Sequence, residues 1–252
     1  MSSAPDGSDG QYEIGVQSFT YREFDVSEIC SELSGTGVSA IELCDVHVAP
    51  DAAAEVVERV RDRLADSGIE VCGYGVVPFE DDDEERIRAT FELVDRLGGE
   101  YCSLEFPPND DGLRDRLLSV ADEFDLDLAI HNHGPGATYS RVEEVTRVLE
   151  SADSPRLGAC VDTGHFFRSG EAPADVIRRL GDRVLALHLK DFDDEGNEVV
   201  PGTGRLDVSE LLDLLETETA FDQPLVIEYE ADAENPTPAV EQTVAAVRDA
   251  AE

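Results

Sequence analysis

Short apolar runs alternate with longer stretches in which apolar residues return every three or four positions. The apolar runs are EIGVQSF, VSAIELC, IEVCGYGV, YCSLEF, LDLAIHN, LGACVDT, VLALHLKD and PLVIEYE. They are short, rich in β-branched residues and apolar at nearly every position, as strands buried on both faces must be. Each is followed by a segment of helical period, among them AAAEVVERVRDRLADSG, where Val56, Val57, Val60 and Leu64 form one apolar stripe. Gly37, Gly68 and Gly98 stand where these helices must stop before the next strand. The count is eight strands and eight helices. That predicts a parallel sheet closed into a single (β/α)8 barrel; an open doubly wound sheet is the alternative, but units this regular favour closure. No Gly-rich phosphate loop follows any strand, so a nucleotide-binding fold lacks its fingerprint.

The barrel domain is predicted over residues 12–252. Residues 1–11, polar and small, with no basic start and no apolar run, read as a disordered tail rather than a signal peptide. No composition shift marks a second domain, and no stretch is long and apolar enough to cross a membrane.

Charge changes the picture next. The 252 residues carry 58 acids against 19 Lys and Arg, a formal net charge of −39. The hydrophobic fraction of 41% still permits a sizeable core, so disorder is not the natural reading. A compact state with this charge repels itself in dilute buffer and is relieved by salt. Together with the near-absence of lysine, this resembles the composition of proteins from salt-in halophilic archaea. So acidic a surface also disfavours nucleic acid, which needs Arg and Lys on phosphate. The five cysteines are odd in number and lack CxxC spacing, so they read as buried reduced thiols of a cytoplasmic protein.

The candidate chemistry lies at strand ends. All five histidines (His47, His131, His133, His165, His188) and the one lysine, Lys190, fall at or just past the end of a predicted strand. A closed barrel gathers such ends around one mouth. Alternate residues of a strand share a face, so His131 and His133 point together, as do Cys160 and Asp162, His188 and Lys190, and Glu228 and Glu230. If the first polar residue at each end faces the axis, His131, Asp162, His188 and Glu228 converge. Two imidazoles and two carboxylates suit a divalent cation of intermediate hardness. Singly, each has a plainer reading: a lone histidine is more often satisfied core, and a buried aspartate is usually just hydrogen-bonded. Convergence from four successive strands is what favours the set.

In its second half the chain resembles the sugar phosphate isomerase/epimerase group of xylose isomerase-like TIM barrels. The resemblance rests on DTGH at 162–165, HLKD at 188–191, VPGTGRLD at 200–207 and IE at 227–228, in that order, and extends from Ile14 to about Ala246. It implies that Asp162, His188 and Glu228 hold one divalent metal, Mn2+ in first place, with Co2+, Mg2+, Zn2+ or Fe2+ as alternatives. The fourth ligand, commonly a Glu, is here His131. The implied activity is isomerisation or epimerisation of a small sugar, sugar acid or sugar phosphate through an enediolate. An inosose-type dehydratase on the same scaffold, or an inactive sugar-binding barrel, are the alternatives. A nuclease of the endonuclease IV type would need three metals and a basic face.

Epimerases of this group use two opposed glutamates. With His131 in place of one, Glu228 is the remaining carboxylate base, and the second proton carrier falls to His133, His165, Lys190 or a metal-bound water. One-base isomerisation or loss of water is then more secure than two-base epimerisation. Among candidate substrate contacts, His165 binds a substrate hydroxyl or the local backbone. Lys190 steadies an oxyanion, holds a phosphate or carboxylate, or pairs with Asp191 or Glu230. Arg205, in the glycine-bearing lid loop VPGTGRLD, meets an anion or forms an exposed ion pair. Glu42, His47 and Glu105 line the pocket without touching metal, and Tyr74 and Phe106 are walls or packing. The expected partner is a small carbohydrate, and a homo-oligomer is compatible with the group's habit.

Overall fold

A computed structural model describes residues 12–252; the predicted tail lies outside them. Eight parallel strands close into a barrel: Ile14–Gln17 (β1), Ala40–Leu43 (β2), Glu70–Pro78 (β3), Tyr101–Glu105 (β4), Asp127–His131 (β5), Leu157–Asp162 (β6), Val184–Leu189 (β7) and, after a two-residue hairpin pair at Asp191–Phe192 (β8) and Glu198–Val199 (β9), Leu225–Ile227 (β10). Around the ring the order is β1, β10, β7, β6, β5, β4, β3, β2. The helices are Val26–Glu32 (α1), Ala54–Asp66 (α2), Glu84–Leu97 (α3), Asp111–Phe124 (α4), Val142–Ala152 (α5), Thr163–Arg168 (α6), Pro173–Leu180 (α7), Val208–Glu218 (α8) and Thr237–Ala250 (α9).

The abundant aspartates do local work at helix starts. Asp25, Asp83, Asp110 and Asp207 each accept main-chain N–H groups of the first turn, a cap worth about 1 kcal/mol apiece. Most apolar burial lies between the strands and the helices. A second, smaller apolar group fills the barrel itself: Ala40, Cys72, Tyr101, Ala129, Cys160, Ala186 and Val226. Two residues further along the same strands come Glu42, Ser103, His131, Asp162, His188 and Glu228, all buried. The period of two therefore stacks a polar layer directly on an apolar one. All five cysteines are buried and unpaired by disulfides.

Two details depart from the sequence reading. Among the described residues there are nine α-helices, because DTGH is not a bare turn. Asp162 caps it, accepting the His165 N–H at 2.7 Å, and α6 follows. The segment VPGTGRLD is not a free lid. The buried Asp191 carboxylate accepts N–H groups from Gly202 (3.1 Å), Gly204 (2.8 Å), Arg205 (2.9 Å) and Leu206 (3.0 Å). A buried carboxylate must be paired, and here the loop backbone supplies the pairing.

Candidate metal centre and its pocket

Pairing of β5, β6 and β7 sets the site. His131 lies opposite Cys160, and Asp162 lies opposite His188. His131, Asp162, His188 and Glu228 each offer a ligand atom within 4.8 Å of the others. His131 Nε2 is 3.2 Å from His188 Nδ1 and 4.0 Å from Asp162 Oδ2. His188 Nδ1 is 3.2 Å from Glu228 Oε2. Metal–ligand bonds of about 2.0–2.2 Å put ligand atoms roughly 3–4.4 Å apart, so the cluster has the dimensions of a single-ion site. Asp162 Oδ2 and His131 Nδ1 are buried with no hydrogen-bond partner. A buried carboxylate oxygen without a hydrogen-bond donor, 4.0 Å from His131 Nε2 and 3.8 Å from His165 Nε2, belongs to a donor set that fits a divalent cation.

Neighbouring side chains fix these groups. Glu42 accepts hydrogen bonds from His188 Nε2 at 2.8 Å and Tyr101 Oη at 2.6 Å, and from Ser103 Oγ. That leaves His188 Nδ1 to face the cluster. Asn132 clamps the strand exit beside it, donating to Asp162 O at 3.1 Å and accepting Asp162 N–H at 2.8 Å. Thr163 Oγ1 donates to Lys190 O at 2.7 Å, tying α6 to the end of β7. Lys190, 1% exposed, sits behind the carboxylates. Its Nζ is 3.4 Å from Glu228 Oε2, 4.0 Å from Asp162 Oδ2, and bonded to Glu230.

The electrostatics sort the ligands. Burial, with His188 and His133 nearby, holds His131 well below the usual imidazole range, so it is neutral and ready to ligate. Burial would also depress His188, but Cys160, Glu42 and Glu228 around it carry it well above. Burial pushes Asp162 up to about 7, against the pull of Lys190. Glu228, despite burial, is held well below the carboxylate range by Lys190 and His188.

Above the cluster opens a cavity of about 410 Å³ whose walls include His131, His133, His165, Glu228, Glu230 and Asp45. The structure thus brings His131, Asp162, His188, Glu228, Lys190, His165 and His133 together, with Glu105 bonded to His133 Nδ1 at 2.6 Å. It does not bring in two others. His47 donates through Nε2 to Tyr21 O (3.3 Å) and Phe24 O (3.2 Å), with Nδ1 on Ser18 Oγ (3.1 Å). The Arg205 guanidinium lies over Phe167, 4.7 Å from the ring centre. Glu42 is fully buried beneath His188 rather than lining the cavity. Tyr74 and Phe106 are packing residues: the Tyr74 hydroxyl bonds Val48 O, and Phe106 meets Tyr139 edge-on. Sequence reasoning passed over Asn132, which lies between His131 and His133 on the opposite face of the strand end, and named Glu230 only as a possible partner of Lys190, which it is.

A model of the xylose isomerase-like TIM barrel family matches residues 30–250. The chain belongs to that family. Among its relatives, a 3-oxo-isoapionate decarboxylase of Pectobacterium atrosepticum is 26% identical over 174 residues, covering 66% of this chain and 61% of the decarboxylase. An inosose dehydratase of Lacticaseibacillus casei is 27% identical over 142 residues, 49% of this chain and 47% of the dehydratase. The chain therefore spans less than two thirds of either relative. Among solved structures, the IolI protein with a bound zinc atom matches with a TM-score of 0.77 at 16% identity, covering 94% of this chain and 98% of that one. An L-ribulose 3-epimerase matches at 0.76 and 16%, covering 95% and 96%. At these identities the likeness to solved structures is one of fold.

Proposed function

We propose that this protein is a divalent-metal-dependent enzyme that isomerises or epimerises a small sugar, sugar acid or sugar phosphate by taking a proton from the carbon next to a carbonyl. The observation that carries the reading is the buried His131–Asp162–His188–Glu228 cluster at the floor of a pocket, with an orphaned Asp162 oxygen inside it. A cation held by those four residues, Mn2+ in first place, would polarise the substrate carbonyl and stabilise charge developing on its oxygen. Glu228 is the base. It is 7% exposed where Asp162 is fully buried, and it lines the pocket. Lys190 and His188 keep it ionised despite burial, and Lys190 steadies it from behind. His165, driven by burial and Lys190 down to about 3, is neutral and lines the pocket, where it meets a substrate hydroxyl.

A second reading, loss of water from an inosose-type ketone, is favoured by one pair. His133 is drawn down by burial, but its bond to Glu105 carries it above the ordinary imidazole value. Such a group can hand a proton to a departing hydroxyl while Glu228 takes one from carbon. The dehydratases among the relatives support the same reading.

The acidic composition supports a cytoplasm of high salt as the working medium; among the described residues no helix is long and apolar enough to cross a membrane. The test of function is a panel of ketoses, sugar acids, sugar phosphates and inososes incubated with Mn2+-loaded protein in heavy water. Deuterium beside the carbonyl without loss of mass identifies isomerisation or epimerisation. A product lighter by one water identifies the dehydratase. Both should vanish in Glu228→Gln, and absence of exchange across all classes contradicts the proposal.

A further inference from the structure

Arg168 ends α6, the helix that Asp162 caps and that carries His165. Its guanidinium lies over the Phe192 ring, 5.4 Å from the centre. It also covers the backbone of Gly134, the residue after His133: a Cβ at Gly134 would stand 3.1 Å from an Arg168 nitrogen. Among the described residues no carboxylate lies within 4.0 Å of this guanidinium, although the chain holds 58 acids against 19 Lys and Arg. What sets Arg168 apart is its place: three positions beyond His165, its guanidinium is held by the Phe192 ring and lies against the residue that follows His133, without a carboxylate on it, so it can take an anion from outside.

Its neighbours agree. His165 Nδ1 is buried with no hydrogen-bond partner. The His133 and His165 rings are 5.4 Å apart, and Glu105 occupies only His133 Nδ1. These three residues come from the β5 and β6 side of the barrel. Asp45, with Gln17 and Phe19, walls the pocket from the β1 and β2 side, opposite in the strand order. We infer that Arg168, with His133 and His165, binds an anionic end of the substrate, a carboxylate or phosphate group, so that the substrate is a sugar acid or sugar phosphate rather than a neutral ketose. The inference rests on the reading of this pocket as a sugar site. A short carbon chain whose carbonyl lies over His131 and Glu228 would run past His165 and His133 toward the end of α6, just outside the residues that wall the cavity, where the planar guanidinium of Arg168 offers two parallel donors.

The test uses the full chain with imidazole NMR, since five histidines give a resolvable set. Inorganic phosphate and, separately, acetate are titrated at constant pH and constant potassium chloride, into chelator-treated and Zn2+-loaded protein. The expected result is a saturable shift of His133 and His165 with His47 unmoved, weakened about tenfold or more in Arg168→Gln and partly restored in Arg168→Lys. A response to phosphate alone points to sugar phosphates, and one to acetate alone points to sugar acids. No saturable shift with either anion, or equal affinity in Arg168→Gln, overturns the inference. Failure of the metal reading shows separately, as absence of metal from the wild-type chain, because the chelator-treated titration does not depend on it.

Discussion

Glu42→Gln isolates the part of the site that orients a ligand without touching the metal. Glu42 is fully buried and receives three hydrogen bonds, from His188, Tyr101 and Ser103. The amide keeps an oxygen for His188 and Tyr101, which share Oε2. Its nitrogen can donate to Ser103, whose hydroxyl is free to turn and accept. Shape and hydrogen bonds persist, and only the negative charge beside His188 goes. A charge-assisted bond of about 1.5–3 kcal/mol becomes an ordinary one of about 1 kcal/mol. The loss of about 1–2 kcal/mol is roughly a 5–30-fold weaker metal affinity, overlapping the lower part of the range of about 10–100-fold typical when such a partner is removed. The assay is calorimetric titration of Mn2+ in competition with a chelator, on the alkaline side of neutrality. Losing the Glu42 charge also makes His188 less basic, so fewer protons compete with metal in the variant; this masks part of the effect, and less of it at higher pH. Circular dichroism and the thermal midpoint check that the fold survives. Affinity within about twofold of wild type, in a folded variant, would refute the role given to Glu42.

Three further outcomes follow from the same structure. Metal affinity should fall as pH drops below about 7, where Asp162 in the metal-free protein takes up the proton that the metal must displace, by about tenfold per pH unit for one proton; a pH-independent affinity through this range contradicts the placement of Asp162 in the site. Asp191→Ala strips the acceptor from Gly202, Gly204, Arg205 and Leu206. It should cost about 3 kcal/mol and lower the midpoint by about 6–12 °C by calorimetry; an unchanged midpoint would mean the loop holds itself. Potassium chloride should raise the midpoint steeply up to about 1 M, where the Debye length has shrunk to about 3 Å, and a flat response would show that the charge of −39 is not a stability problem.

The barrel was legible because both of its periods were. Runs such as LDLAIHN are apolar throughout and too short for helices, and the stripe at Val56, Val57, Val60 and Leu64 is helical. The cluster was legible for the same reason: period two places His131, Asp162, His188 and Glu228 on the axis once the strands are aligned. What stayed hidden depends on contacts between distant segments. Nothing in DTGH announces that Asp162 divides its oxygens between a helix cap and the cluster. Glycines in VPGTGRLD suggest freedom, but Asp191, some ten residues earlier, fixes that loop through its backbone. Glu42 lies in β2 and His47 just beyond it, yet one supports His188 and the other turns to carbonyls of the segment after β1. Strand alternation does not specify the depth of a side chain, and depth separated these two.

The central claim is that this chain carries one divalent metal on His131, Asp162, His188 and Glu228. Elemental mass spectrometry of protein purified in molar salt without chelator tests it most directly, alongside the double variant Asp162→Asn, His188→Ala. About one metal per chain in the wild type, lost from a variant that keeps its barrel by circular dichroism, is the predicted result. No metal in the wild type after addition of Mn2+, Co2+ or Zn2+, or the same metal content in the double variant, would contradict it.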